Sequence, residues 1–148
     1  MKNHTKRARE LFDQGYNCAQ AVFAAFCDET GMDMETALKL AAPFGGGIGR
    51  LREVCGAVSG MAMVVGMKYG YTDPKDTDTK MEHYQLAQSL VHEFKEKNGS
   101  FLCKGLIGLD AQGNPYPNAQ AQPRSQAELC PGLVESAASI LEAYIQNR

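Results

Sequence analysis

Three observations predict an all-α fold. Apolar residues recur at the i, i+3, i+4, i+7 spacing of a helix face. The stretches that carry them open on capping residues and close on glycine. No segment sustains a two-residue alternation enriched in β-branched side chains, so no strand is expected.

The expected elements are six to seven helices in one domain, residues 1–148, around a central helix of small residues. The first runs from about Thr5 to Asp13, with Ala8, Leu11 and Phe12 on one side and Gly15 as its break. Asn17 caps the second, and Gln20 completes a capping box, so Cys18 takes the first helical position. Cys18, Ala21, Val22, Ala25 and Phe26 face the core, and Gly31 ends the helix. Cys27 lies about 900° of helix rotation beyond Cys18 and points the opposite way, so the two do not serve one site. Asp33 caps a third helix through Ala37, Leu38, Leu40 and Ala41 to Pro43.

A loop with Gly45, Gly46, Gly47 and Gly49 then leads into the small and apolar run Val54 to Met67. This central helix is expected to begin within a turn of Cys55 and to end by Gly70. Gly56 and Gly60 share one of its faces and admit a second backbone at close range. Met61, Met63 and Met67 read as fillers of core gaps rather than copper ligands.

Asp73, Pro74 and Asp76 mark the start of a long helix, with Pro74 in its first turn. Tyr84, Ala87, Leu90, Val91 and Phe94 form its stripe, and Asn98-Gly99 stops it. Ser100 is expected to cap a short helix from Phe101 to Ile107, placing Cys103 near its third position. Residues 108–124, with Gly108, Gly113, Pro115, Pro117 and Pro123, read as a surface loop. Pro131 fits the first turn of a last helix carrying Leu133, Val134, Ala137, Ile140, Leu141 and Tyr144, with Cys130 at its cap.

A chain of 148 residues buries about 70% of its unfolded surface and needs no disulfide to fold. With 44% hydrophobic and 22% charged residues and a net charge of -2, it gives no reason to expect nucleic acid or an acidic membrane as partner. The basic start, Lys2, Lys6, Arg7 and Arg9, reads as a solvated helix face. No secretory signal is visible, and the Val54 to Met67 run falls short of the roughly 20 residues a membrane span needs. A cytoplasmic, reducing setting is therefore expected, where cysteines serve as reactive thiols or metal ligands more often than as staples.

The cysteines carry the chemistry. Cys18, Cys55, Cys103 and Cys130 fall at or near expected helix starts, where free backbone N–H groups and the helix dipole favour a thiolate; Cys27 does not. Arg50 and Arg52 favour a thiolate at Cys55, with Glu53 partly opposing them. No Cys-x-x-Cys occurs, which excludes a thioredoxin-type pair, a zinc ribbon and attached haem. Four dispersed thiols can still converge as a zinc or iron–sulfur site or form one or two reversible disulfides, and their pairing stays open. The glycine run lacks both a preceding strand and a Gly-Lys-Ser/Thr ending, so it reads as a tight turn rather than a phosphate loop. His83 and His92 lie on opposite helix faces and His4 near a frayed end, so no histidine pair is expected to hold metal.

The motif Cys55-Gly56-Ala57-Val58-Ser59-Gly60 stands among Asn17-Cys18-Ala19-Gln20, Phe44-Gly45-Gly46-Gly47, Asn98-Gly99-Ser100, Cys103 and Cys130. In this ordered pattern the chain resembles the C_GCAxxG_C_C family, small, mainly helical proteins described as redox-active on the strength of their cysteines. The resemblance implies that Cys18, Cys55, Cys103 and Cys130 take the places of the family's four cysteines, with Cys27 an extra. It supplies no substrate.

Three readings follow. In the first, the protein is a thiol redox protein, a thiol–disulfide oxidoreductase with an unidentified redox partner, and Cys55 is the attacking thiolate. In the second, the same four cysteines hold zinc or an iron–sulfur cluster. In the third, the chain is a non-catalytic helical binding domain. A homodimer is compatible with each.

Overall fold

The computed structural model describes residues 3–117 and 125–148, and among these there are helices and no strand. The helices are α1 (His4–Asp13), α2 (Cys18–Ala25), α3 (Cys27–Thr30), α4 (Met34–Ala41), α5 (Gly56–Tyr69), α6 (Thr77–Asn98), α7 (Cys103–Ile107) and α8 (Gln126–Gln146). Two isolated antiparallel bridges, Val54 with Leu102 and Leu109 with Pro115, are the extended pairings among the described residues. No helix of the described residues is long and apolar enough to cross a membrane.

Packing is densest where small residues let helices close up. α2 lies against α5 and also meets α1, α4 and α8. At Gly60 an added Cβ would stand 2.8 Å from the Ala19 carbonyl oxygen and 3.0 Å from Val22 Cβ, so glycine sets the α2–α5 spacing. Phe23, Phe26, Met61, Phe94, Ile140 and Leu141 fill the core and are under 2% exposed. Burying each such side chain contributes about 1.5–3 kcal/mol before the entropy of ordering it is subtracted. Of the other two methionines expected to fill core gaps, Met63 is half-buried and Met67 is exposed at 47%.

Several boundaries differ from expectation. α2 ends at Ala25 because Phe26 leaves helical geometry (φ -106°, ψ 20°), and Cys27 then opens the single turn α3. Asp76 caps α6 through the Thr79 N–H, leaving Pro74 outside the helix. Leu102 is the cap residue of α7, so Cys103 holds its first position rather than its third; Ser100 Oγ accepts from the Leu102 N–H.

α8 starts five residues earlier than Pro131 suggested. Ser125 Oγ accepts from the Glu128 N–H, a local cap that outweighs the proline, and Pro131 lies inside the helix. Cys130 is therefore the fifth residue of α8 and not its cap. The surface loop is described as far as residue 117; its remainder with Pro123, like Lys2 of the basic start, lies outside the described residues. The other basic residues of that start, Lys6, Arg7 and Arg9, keep to exposed or half-buried positions on α1.

Candidate functional site

Cys18 is held by a complete capping box. Asn17 Oδ1 accepts from the Gln20 N–H at 2.9 Å, and Gln20 Oε1 accepts from the Asn17 N–H at 3.0 Å. Asn17 Nδ2 also donates to the Ala42 carbonyl at 3.0 Å, which ties the start of α2 to the approach of the glycine loop. Gly45 leaves the space that the Asn17 side chain occupies: a Cβ there would come within 2.6 Å of its Cγ.

The glycine loop is a left-handed turn. Gly46, Gly47, Ile48, Gly49 and Arg50 have φ between 55° and 75°, and Arg52 follows at 65°. Such geometry costs a residue with a Cβ about 1–2 kcal/mol, and backbone strain of this kind persists where its surroundings over-determine it. The surroundings here are backbone hydrogen bonds across the loop: Gly49 to the Pro43 carbonyl at 2.8 Å, Arg52 to Gly46 at 3.1 Å and Glu53 to Gly47 at 3.0 Å. A Cβ on Gly47 would stand 2.6 Å from the Glu53 nitrogen.

The chain leaving this loop pairs with the segment before α7. Cys55 N–H donates to the Phe101 carbonyl at 2.9 Å, and Cys103 N–H to the Glu53 carbonyl at 2.7 Å. This antiparallel clip brings Cys55, the cap residue of α5, beside Cys103, the first residue of α7. Cys130 comes from the buried face of α8, with Leu133, Val134 and Ala137.

No disulfide joins the four cysteines in the structure; they are at most 6% exposed and within electrostatic reach of one another. Burial pushes the Cys55 thiol well above its ordinary range, Cys18 and Cys103 add to this, and the Ala57 and Val58 amides oppose it. Burial raises Cys103 too, against Arg52, whose Nη1 donates to its Sγ at 3.5 Å. Cys130 is pushed up to about 12 by burial and then by Cys18 and Cys103. Cys18 acts on all three of the others, so it is the centre of the group. Among the described residues, no three of these sulfurs lie within 4.8 Å of one another.

The expected electrostatics at Cys55 are corrected by these contacts. Arg52 serves Cys103, Arg50 is exposed, and Glu53 pairs with Lys104 at 3.3 Å. Nothing here makes Cys55 the readiest thiolate. Cys27, the extra cysteine, lies elsewhere: it is half-buried, raised by burial and Asp28, and faces a different cleft.

A cleft of about 530 Å³ reaches the group. Cys18 and Cys130 line it, with Asn17, Tyr16, Gly46 and Arg50; Cys55 and Cys103 do not. The sequence marked Cys18 and Cys130 but not Tyr16 or the role of Arg50, since the turn that aims Arg50 depends on left-handed backbone at a residue that is not glycine.

No curated protein and no solved structure matches the chain. One family model does, that of the "putative redox-active protein (C_GCAxxG_C_C)", over residues 16–144, a span that includes all four convergent cysteines. By that match, the chain belongs to the C_GCAxxG_C_C family.

Proposed function

We propose that residues 1–148 act as a single cytoplasmic thiol redox domain, with Cys18 and Cys130 as its exchanging pair. The observation that carries this reading is the cleft, which gives solvent and substrate a route to these two sulfurs of the four. Cys18 is the attacking residue on geometry: it stands at the head of a capped helix, lines the cleft and neighbours the other three thiols. Cys130, with its proton held tightly by burial, resolves the reaction.

In the oxidative direction the Cys18 thiolate attacks one sulfur of a disulfide R–S–S–R, and one thiolate leaves. That thiolate takes the proton of Cys130, whose sulfur attacks Cys18 Sγ and expels the second R–S group as a thiolate, which solvent protonates. Two electrons pass from the protein to the disulfide, and a Cys18–Cys130 disulfide remains. The reverse exchange with a dithiol restores the reduced pair. Arg52 stabilises negative charge on the inner side, at Cys103.

The test is the rate at which the reduced native protein converts glutathione disulfide to glutathione. Cys18→Ser and Cys130→Ser each abolish a complete turnover, whereas Cys27→Ser leaves it unchanged. Equal rates in all three variants refute the reading.

The convergence of four thiols supports a second reading, in which they are the ligands of an iron–sulfur cluster. Acid-labile sulfide and iron in anaerobically purified protein, lost in Cys55→Ser, support that assignment; colourless protein free of iron removes it.

A further inference from the structure

Among the described residues, the cleft at Cys18 and Cys130 is lined by one charged side chain, Arg50, and by no carboxylate. Arg50 is exposed and engaged by no carboxylate among the described residues. Its stem passes over Gly46, where an added Cβ would stand 2.8 Å from Arg50 Cγ, so the bare glycine admits it. Arg50 itself adopts φ 69°, and its N–H donates to the Gly45 carbonyl at 3.3 Å, so the course of the side chain is built into the turn. The Asn17 side chain is spent on Gln20 and Ala42. The cleft therefore offers two thiols and an uncompensated cation.

We infer that the cleft takes a low-molecular-weight disulfide carrying a carboxylate near its sulfurs, and that Arg50 selects it. The inference rests on Cys18 and Cys130 as the exchanging pair. A guanidinium presents parallel N–H donors that match a carboxylate, and it stays charged at every working pH. With no carboxylate lining the cleft, a cationic disulfide meets repulsion and a neutral one gains nothing from Arg50. The volume of about 530 Å³ lies in the range of small-molecule sites. Both sulfurs are 6% exposed, so the reacting bond must enter the cleft to meet them, which a disulfide flush with the surface of a folded protein does not do. The bonds and electrons of the exchange are those already written, with the carboxylate on R.

Iodoacetate and iodoacetamide test the charge preference apart from the exchange. With either reagent a Cys S–CH2 bond forms and iodide leaves; one carries a carboxylate and the other a neutral amide. The ratio of their rates at one cysteine cancels that cysteine's thiolate fraction. Full-length protein, reduced and then freed of reductant, is alkylated and read residue by residue by mass spectrometry. Arg50→Gln should lower the iodoacetate-to-iodoacetamide ratio at Cys18 at least about threefold, and Arg50→Lys should keep part of it. Cys27, in the other cleft, should keep its ratio in both variants. The same substitution should lower the preference for dithiodiglycolate over 2-hydroxyethyl disulfide. Ratios that Arg50→Gln leaves unmoved overturn the inference even where glutathione disulfide is turned over. A lowered alkylation ratio without turnover of any disulfide keeps the anion subsite and refutes the exchange reading.

Discussion

Gly56 packs its bare Cα against the sulfur of Cys18, so a methyl group at residue 56 would overlap Sγ and crowd the Phe44 carbonyl oxygen at 2.9 Å. The first glycine of α5 is thereby a condition for the position of Cys18, and Gly56→Ala should act on both stability and chemistry. Overpacking of this kind costs about 1–3 kcal/mol. Urea denaturation should report that loss, and disulfide exchange at Cys18 should slow. An alanine variant with wild-type stability would show that the two helices stand further apart than described.

The glycine loop makes opposite predictions at neighbouring residues. Gly47→Ala places a Cβ against the Glu53 nitrogen at φ 75° and should destabilise by more than about 2 kcal/mol. Ile48→Gly relieves a β-branched residue at φ 66°, a strain of about 1–2 kcal/mol, and gives back part of that gain through the unfolded chain. Its urea midpoint should equal or exceed that of the wild type.

Arg52→Gln keeps the length of the side chain and removes its charge from Cys103. The guanidinium draws the Cys103 thiol down, so its loss should raise that thiol further and lower the thiolate fraction at neutral pH. Each unit of pKa is a factor of about ten in thiolate. Alkylation of native protein, read residue by residue by mass spectrometry, should show Cys103 labelled roughly 3- to 30-fold more slowly while Cys27 is unaffected.

Reduced protein should lose stability in alkali through its buried thiols. Cys130 is raised to about 12, and Cys55 and Cys103 are raised as well, all by burial first. Above the ordinary thiol value of about 8.5 the unfolded chain releases these protons while the folded chain keeps them. Stability from this source is complete below that value and is lost as pH rises toward about 12, by up to about 1.4 kcal/mol per pH unit per thiol. Thermal midpoints of reduced protein should fall between pH 8.5 and 10, and Cys130→Ala should flatten the slope.

These predictions divide along what the sequence made legible. The capping box at Asn17 and Gln20 located Cys18 correctly because a cap is a local signal, satisfied by two side chains three residues apart. Ser125 and Glu128 carry the same kind of signal, but Pro131 drew the helix start to itself, and Cys130 moved from the cap to the second turn. Arg52 was expected to serve the adjacent Cys55. It reaches Cys103 instead, because its φ of 65° turns the chain and the antiparallel clip brings α7 alongside. No local pattern encodes that pairing, nor the partners that α3 and α8 supply to His4: Asp28 and Glu142 hold its buried ring, where a frayed end was expected.

Cys18 and Cys130 as the exchanging pair is the central claim, and one measurement tests it most directly. Reduced native protein is treated with glutathione disulfide, blocked with an alkylating agent, and digested for peptide mapping. The account predicts one new cross-link, between the peptides of Cys18 and Cys130, reversed by dithiothreitol. A cross-link that omits Cys18, or four cysteines alkylated as though no disulfide had been offered, would contradict it.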